Sequence, residues 1–207
     1  MTPRTDFNKP LDYTVVKGRT ALVQDGASGL GYGIAEALAE NGAKVAICDE
    51  NVENGDKVVA DLTSKGYRVS FFKTDATNWD SVLASFKAAL EWSGDQLDIV
   101  VTSPGIVTNN LMMSILPKHT SPDGDPPKPP TKVFEVDLIG VYYTASLALF
   151  YFNQIAARRK RDSGTATPSE DEKARAFRPQ LLYICSMAGV RIDSSMLLRG
   201  FYMLICS

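Results

Sequence analysis

The chain has 207 residues, with 22 basic against 24 acidic side chains and a net charge of −2. A length of this order fits one domain that buries roughly 70% of the surface its unfolded form exposes. The near balance of charge excludes a global pull towards nucleic acid or anionic membrane, and the three scattered cysteines exclude a disulfide framework or a zinc cluster.

Residues 1–17 are polar and broken by Pro3 and Pro10, with no apolar signal region. No apolar stretch is read as approaching the ~20 residues of a bilayer span, so a soluble, cytoplasmic protein with no membrane and no nucleic-acid partner is expected. Residues 20–24 form a short apolar run followed by a glycine-rich turn. Residues 31–40 read as a helix with Ile34, Ala35, Leu38 and Ala39 on one face, ended by Asn41-Gly42. Residues 44–48 are a second strand, ending in Cys48, which is read as a buried thiol. An amphipathic helix over 52–65 stops at Gly66. Strand signals at 67–72 and 97–101 flank a helix over 79–92, a long apolar helix spans 132 to about 157, and residues 181–185 are a fifth strand. Short continuous apolar strands alternating with helices predict an α/β fold, a doubly wound parallel sheet covered on both faces. It forms a single domain over 1–207 with loop inserts near 114–131 and 158–179. Six prolines lie between 117 and 130, and the second insert is charged. Its basic residues Arg158 to Arg161 are followed by Glu170, Asp171 and Glu172, which favours a solvated helix end over a nucleic-acid patch.

The chemistry-bearing segment is Gln24-Asp-Gly-Ala-Ser-Gly-Leu-Gly31. Glycines where a strand becomes a helix let the backbone approach a diphosphate, and the helix N-terminus supplies N–H donors and partial positive charge. Asp49 ends the second strand twenty residues after Gly29, the placement expected of a carboxylate that accepts hydrogen bonds from an adenosine ribose. The same charge opposes a 2′-phosphate by about 1–4 kcal/mol, which predicts NAD over NADP. A turn whose glycines only permit tight packing is the plainer alternative.

The pattern resembles the Thr-Gly-x-x-x-Gly-x-Gly turn of short-chain dehydrogenases/reductases, with Ala27, Ser28, Gly29, Leu30 and Gly31 in register and Gly26 a further cofactor-binding candidate. Four further segments follow in the family's order. Asp75 resembles the acidic residue that contacts adenine, and Thr102-Ser103-Pro104-Gly105 stands in place of Asn-Asn-Ala-Gly. Glu135-Val-Asp137-Leu-Ile-Gly140 is similar to the helix carrying a catalytic Asn, and Cys185-Ser186-Met-Ala-Gly189 to the strand end carrying a catalytic Ser. The resemblance covers residues 17–189 and implies a Rossmann-like fold, a nicotinamide cofactor, and hydride transfer on a secondary alcohol or ketone.

The departures are specific. Gln24-Asp25 replaces Thr-Gly, and the Asp25 carboxylate either sits beside the diphosphate or points outward. Asp137 replaces Asn, keeping an acceptor but losing the amide donor. In the family a Tyr exchanges a proton with the substrate while a Lys four residues later lowers its pKa. Here Tyr202 is the tyrosine that follows Ser186, with Cys206 four residues on and no lysine after Lys173. The family's Tyr-Lys helix, last two strands and substrate loop are unmatched, so a C-terminally truncated relative is expected. Loss of those elements also puts in doubt the homo-oligomer usual in the family. Three functions follow: an oxidoreductase in which Ser186, Asp137 and Tyr202 are the candidate catalytic residues; a non-catalytic NAD-binding protein; and a methyltransferase, disfavoured by Asp75 and Ser186.

Overall fold

A computed structural model of the chain describes residues 13–106, 131–162 and 179–184. A short 3-10 turn, Tyr13–Val16, leads into β1 (Thr20–Gln24), α1 (Gly29–Glu40), β2 (Lys44–Asp49), α2 (Val52–Ser64), β3 (Arg68–Lys73), α3 (Trp79–Ser93) and β4 (Ile99–Thr102). The last helix, α4, is built from Lys132–Phe134, a π-helical stretch Glu135–Gly140 and Val141–Asp162. An edge strand, β5 (Gln180–Tyr183), completes the described sheet.

All four pairings are parallel, in the order β3-β2-β1-β4-β5. The chain runs outward from β1 through β2 to β3, then crosses back to β4 on the other side of β1. This reversal leaves a crevice at the carboxyl ends of β1 and β4, where open α/β sheets take their ligands. Alternation along each strand divides the core. Leu22, Ala46, Cys48 and Val100 pack with Phe86 of α3 and with Leu147, Ala148 and Tyr151 of α4. Ala21, Val23, Val45, Ile47 and Val101 pack on the other face with Ala35 and Ala39 of α1 and Leu62 of α2. Every residue of β1 is buried, which is why its run reads as continuously apolar rather than alternating. The sheet is doubly wound, as the sequence predicts. Cys48 is fully buried, and burial pushes its thiol up to about 12, so it is inert.

Two helix starts are set by side chains. Asn51 Oδ1 accepts the Asn54 N–H at 3.0 Å and Asn78 Oδ1 accepts the Ser81 N–H at 3.0 Å, each cap contributing about 1 kcal/mol.

The structure corrects several boundaries. β4 begins at Ile99 rather than 97, and Asp98, just ahead of it, turns its carboxylate back on β1 and accepts the Thr20 N–H at 3.1 Å. Helix α4 continues to Asp162, five residues past the expected end and into the segment assigned to the second insert. Two ion pairs hold that last turn: Arg158 with Asp95 at 3.4 Å and Arg159 with Asp98 at 3.5 Å. The helix over Lys132–Arg161 is long and apolar enough to cross a membrane by length and composition, contrary to the reading that no stretch reaches that length. In the fold, one stripe of it is core: Ala145, Leu147, Ala148, Tyr151, Phe152 and Ile155 are buried, and Tyr151 stacks on Phe86 with centroids 5.7 Å apart. Residues 107–130 and 163–178 hold most of the two expected inserts and lie outside the described residues, as do residues 185–207.

Candidate functional site

The turn after β1 folds over the end of β2. Cys48 O accepts the Asp25 N–H at 2.7 Å and the Gly26 N–H at 3.3 Å. One step further, Asp49 Oδ2 accepts the Ala27 N–H at 3.0 Å, and its Oδ1 accepts the Asn51 N–H at 2.9 Å. Asp49 is 6% exposed, so its charge is held at one place by two backbone donors.

Only glycine fits at the start of α1. A Cβ on Gly31 would lie 2.0 Å from the backbone oxygen of Asp25, a distance no side-chain adjustment relieves. Gly29 has φ +53 and open space around it, a backbone conformation glycine adopts without strain. Ser28, Gly29 and Leu30 are exposed. Ser28 occupies the N-cap position of α1 but makes no side-chain cap hydrogen bond. The first-turn amides, which have no partner inside a helix, therefore face the end of the sheet unshielded by a cap. A helix N-terminus with a close-approach glycine behind it is suited to a diphosphate.

Asp25 is non-glycine at φ +60 and half-buried. Its carboxyl is near enough to Asp49 and Asp137 to feel the charge of both. Burial, then the charge of Asp49, pushes it up to about 6.

From the other side of the crevice, Ser103 donates its N–H to Gln24 O at 3.1 Å, joining the end of β4 to β1. Asp137 lies in the π-helical stretch of α4, and its Oδ1 accepts the Ile106 N–H at 2.9 Å. Burial raises the Asp137 carboxyl above the usual range, and the Ile106 hydrogen bond works against that rise. A π-turn is a rare insertion that recurs at functional sites; here it carries one of the three carboxylates around the crevice.

Asp75, just past β3, folds onto its own loop. It accepts the Thr77 N–H at 2.8 Å and the Thr77 hydroxyl at 2.7 Å, and the side-chain bond from Thr77 is the chief reason its carboxyl is held below the ordinary range. The structure thus brings Asp25, Asp49, Ser103, Gly105 and Asp137 to one crevice with the 26–31 turn and sets Asp75 at the end of the neighbouring loop. Ser186 and Tyr202 lie outside the described residues. The sequence missed the π-turn, since nothing in residues 135–140 distinguishes a π from an α turn, and it missed that the charge of Asp49 acts on Asp25.

A family model described as short chain dehydrogenase matches residues 19–164. The chain is 40% identical over 187 residues to a protein named NADP-dependent dehydrogenase M3 of a Phoma species, covering 90% of this chain and 51% of that one. It is 39% identical over 189 residues to NADP-dependent dehydrogenase clz5 of Cochliobolus lunatus, covering 90% and 61%. The chain thus spans about half to three fifths of the length of these relatives. The fold is also that of a solved short chain dehydrogenase from Mycobacterium smegmatis, with a TM-score of 0.63 at 21% identity over 87% of this chain and 62% of the other.

Proposed function

Since this chain belongs to the short chain dehydrogenase family, we propose that it binds a nicotinamide dinucleotide and serves an oxidoreductase acting on a secondary alcohol or ketone. The observation that carries this reading is the arrangement at the crevice: an uncapped α1 N-terminus, the close-approach Gly31, and Asp49 fixed at the end of β2. Bound there, the nicotinamide supplies or takes up a hydride.

The residues divide the work as follows. Backbone amides of Gly26, Ser28, Gly29, Leu30 and Gly31 hold the diphosphate. Asp49 accepts the adenosine ribose hydroxyls with its remaining lone pairs, and Asp75 meets the adenine. Ser103 and Gly105 line the path towards the reacting end. Asp137 holds a water or a backbone amide where an Asn serves in the family, Ser186 orients the substrate oxygen, and Tyr202 exchanges its proton.

The charge of Asp49 favours NAD over NADP, because a 2′-phosphate would meet a buried carboxylate. The two relatives named as NADP-dependent make this a point to measure. Titration of NADH and NADPH against the fluorescence of Trp79 and Trp92 tests the reading. Saturable binding with NADH the tighter ligand is expected; a folded protein that ignores both at millimolar concentration overturns it. A second reading, binding without turnover, is favoured by Cys206 standing four residues after Tyr202 where the family has Lys. A panel of secondary alcohols with bound NAD separates the two.

A further inference from the structure

We propose that Gly140 is a positioning residue for the dinucleotide: with no side chain there, the π-turn of α4 closes on the loop after β3, and one turn of one helix sets both banks of the crevice. The inference rests on the dinucleotide reading above and deepens it.

Asp137 and Gly140 stand three residues apart in the π-helical stretch. Asp137 Oδ1 accepts the Ile106 N–H at 2.9 Å, which fixes the segment after β4. Gly140 is buried and lies against Ala76 of the loop after β3. A Cβ on Gly140 would be 3.0 Å from the Ala76 carbonyl oxygen and 3.1 Å from the Ala76 Cβ. Gly140 does not have a positive φ, so backbone conformation gives no reason for glycine, and alanine is the better helix former. Close approach is the reason that remains.

The loop that Gly140 meets is braced. Ser81 Oγ accepts the Asp75 N–H at 2.9 Å, Asp75 accepts the Thr77 hydroxyl at 2.7 Å, and Asp49 O accepts the Thr74 N–H at 2.8 Å. A methyl group on Gly140 moves Ala76 by a few tenths of an ångström, and a packed, braced segment transmits such a shift rather than absorbing it. The shift carries Asp75, the residue read as meeting adenine, while Asp137 keeps its hold on Ile106. Trp79 at the start of α3 is placed to report it, because its ring lies edge-on to Tyr143 of α4 with centroids 5.3 Å apart. Gly140 touches no part of the cofactor in this reading and acts through the loop.

The test compares the wild type, Gly140→Ala and the double variant Gly140→Ala, Ala76→Gly in the full chain, with a thermal melt of each confirming that it is folded. Ala76→Val presses the same contact from the half-buried loop side, and it serves where Gly140→Ala melts too low to titrate. AMP, which offers only the adenine half, and NADH are titrated by calorimetry. Gly140→Ala and Ala76→Val are expected to weaken both ligands alike, by about three- to tenfold. Removing the Ala76 Cβ gives space back, so the double variant should return to within about twofold of the wild type. In a Trp92→Phe background, the emission of Trp79 should shift in Gly140→Ala and return in the double variant. Wild-type affinity for AMP in folded Gly140→Ala or Ala76→Val, no recovery in the double variant, or unmoved Trp79 emission overturns this inference and leaves dinucleotide binding standing. Failure of every folded protein, the wild type included, to bind either ligand overturns both.

Discussion

Asp49 Oδ2 accepts the Ala27 N–H at 3.0 Å, and this one bond ties the end of β2 to the turn that opens α1. Asp49→Ala would leave that donor and the Asn51 N–H without their acceptor in a buried place. The loss is expected to be about 1–3 kcal/mol of stability. Asp49→Asn keeps an acceptor but removes the charge, so the preference for NADH over NADPH should fall by about tenfold or more. Urea unfolding and paired titrations measure the two effects. An Asp49→Asn protein with unchanged discrimination would mean that Asp49 does not face the ribose.

The strands and the two faces were legible because burial on both sides leaves continuous apolar runs, and Val45 to Cys48 or Ile99 to Val101 admit little else. The crevice was legible because Gly29, Gly31 and Asp49 keep a spacing that only a strand–turn–helix unit gives. What could not be read depends on tertiary contact. Asp25 looks the same in sequence whether or not the charge of Asp49 acts on it, and the π-turn at Asp137 is a hydrogen-bond register with no residue signature. Asp98 reads as part of an apolar strand until its carboxylate is seen accepting from the neighbouring strand.

The raised Asp25 carboxyl makes stability depend on pH with a definite sign. Its pKa moves from 3.8 up to about 6 in the fold, so the folded state binds the proton more tightly than the unfolded chain. That contribution is fully present below pH 3.8, and it is lost as pH rises through about 6. Asp137 is raised as well and adds in the same direction. Asp25→Asn should therefore gain on the wild type as pH goes from 4 to 7, by about 1–2 kcal/mol after allowing for partial exposure, and level off above. Unfolding free energies of both proteins at four or five pH values check this. A difference that stays constant, or that shrinks as pH rises, contradicts it.

Asp98 anchors the lower end of the sheet. It is fully buried, accepts the Thr20 N–H at 3.1 Å and the Gln96 amide at 2.8 Å, and pairs with Arg19 at 3.9 Å and Arg159 at 3.5 Å. Asp98→Ala takes the side-chain acceptor from the buried Thr20 N–H, and about 1–3 kcal/mol of destabilisation is expected. Arg159 is half exposed, so Arg159→Ala should cost under about 1 kcal/mol. Denaturant midpoints rank the two variants. If Arg159→Ala costs as much as Asp98→Ala, the ion pair rather than the backbone hydrogen bond is what holds β1 at this end.

Helical glycines in this chain should respond to alanine with opposite signs, according to what a Cβ meets. In an exposed helix, Gly→Ala ordinarily gains about 0.5–1 kcal/mol. Gly33 of α1 is exposed and has nothing within 4 Å of a built Cβ, so Gly33→Ala is expected to show that gain. Gly55 of α2 is buried, and its Cβ would lie 2.3 Å from the ring of Phe71 on β3. Moving that ring disturbs the packing of α2 on the sheet, so Gly55→Ala should lose about 1–3 kcal/mol despite its better helix propensity. Phe71→Leu shortens the obstacle. The double variant should recover about 1 kcal/mol or more relative to the sum of the single changes. Denaturation of the four proteins gives that coupling directly. Additive losses at Gly55 and Phe71 would show that the α2–β3 contact yields without strain, and that propensity rather than close approach decides the residue at position 55.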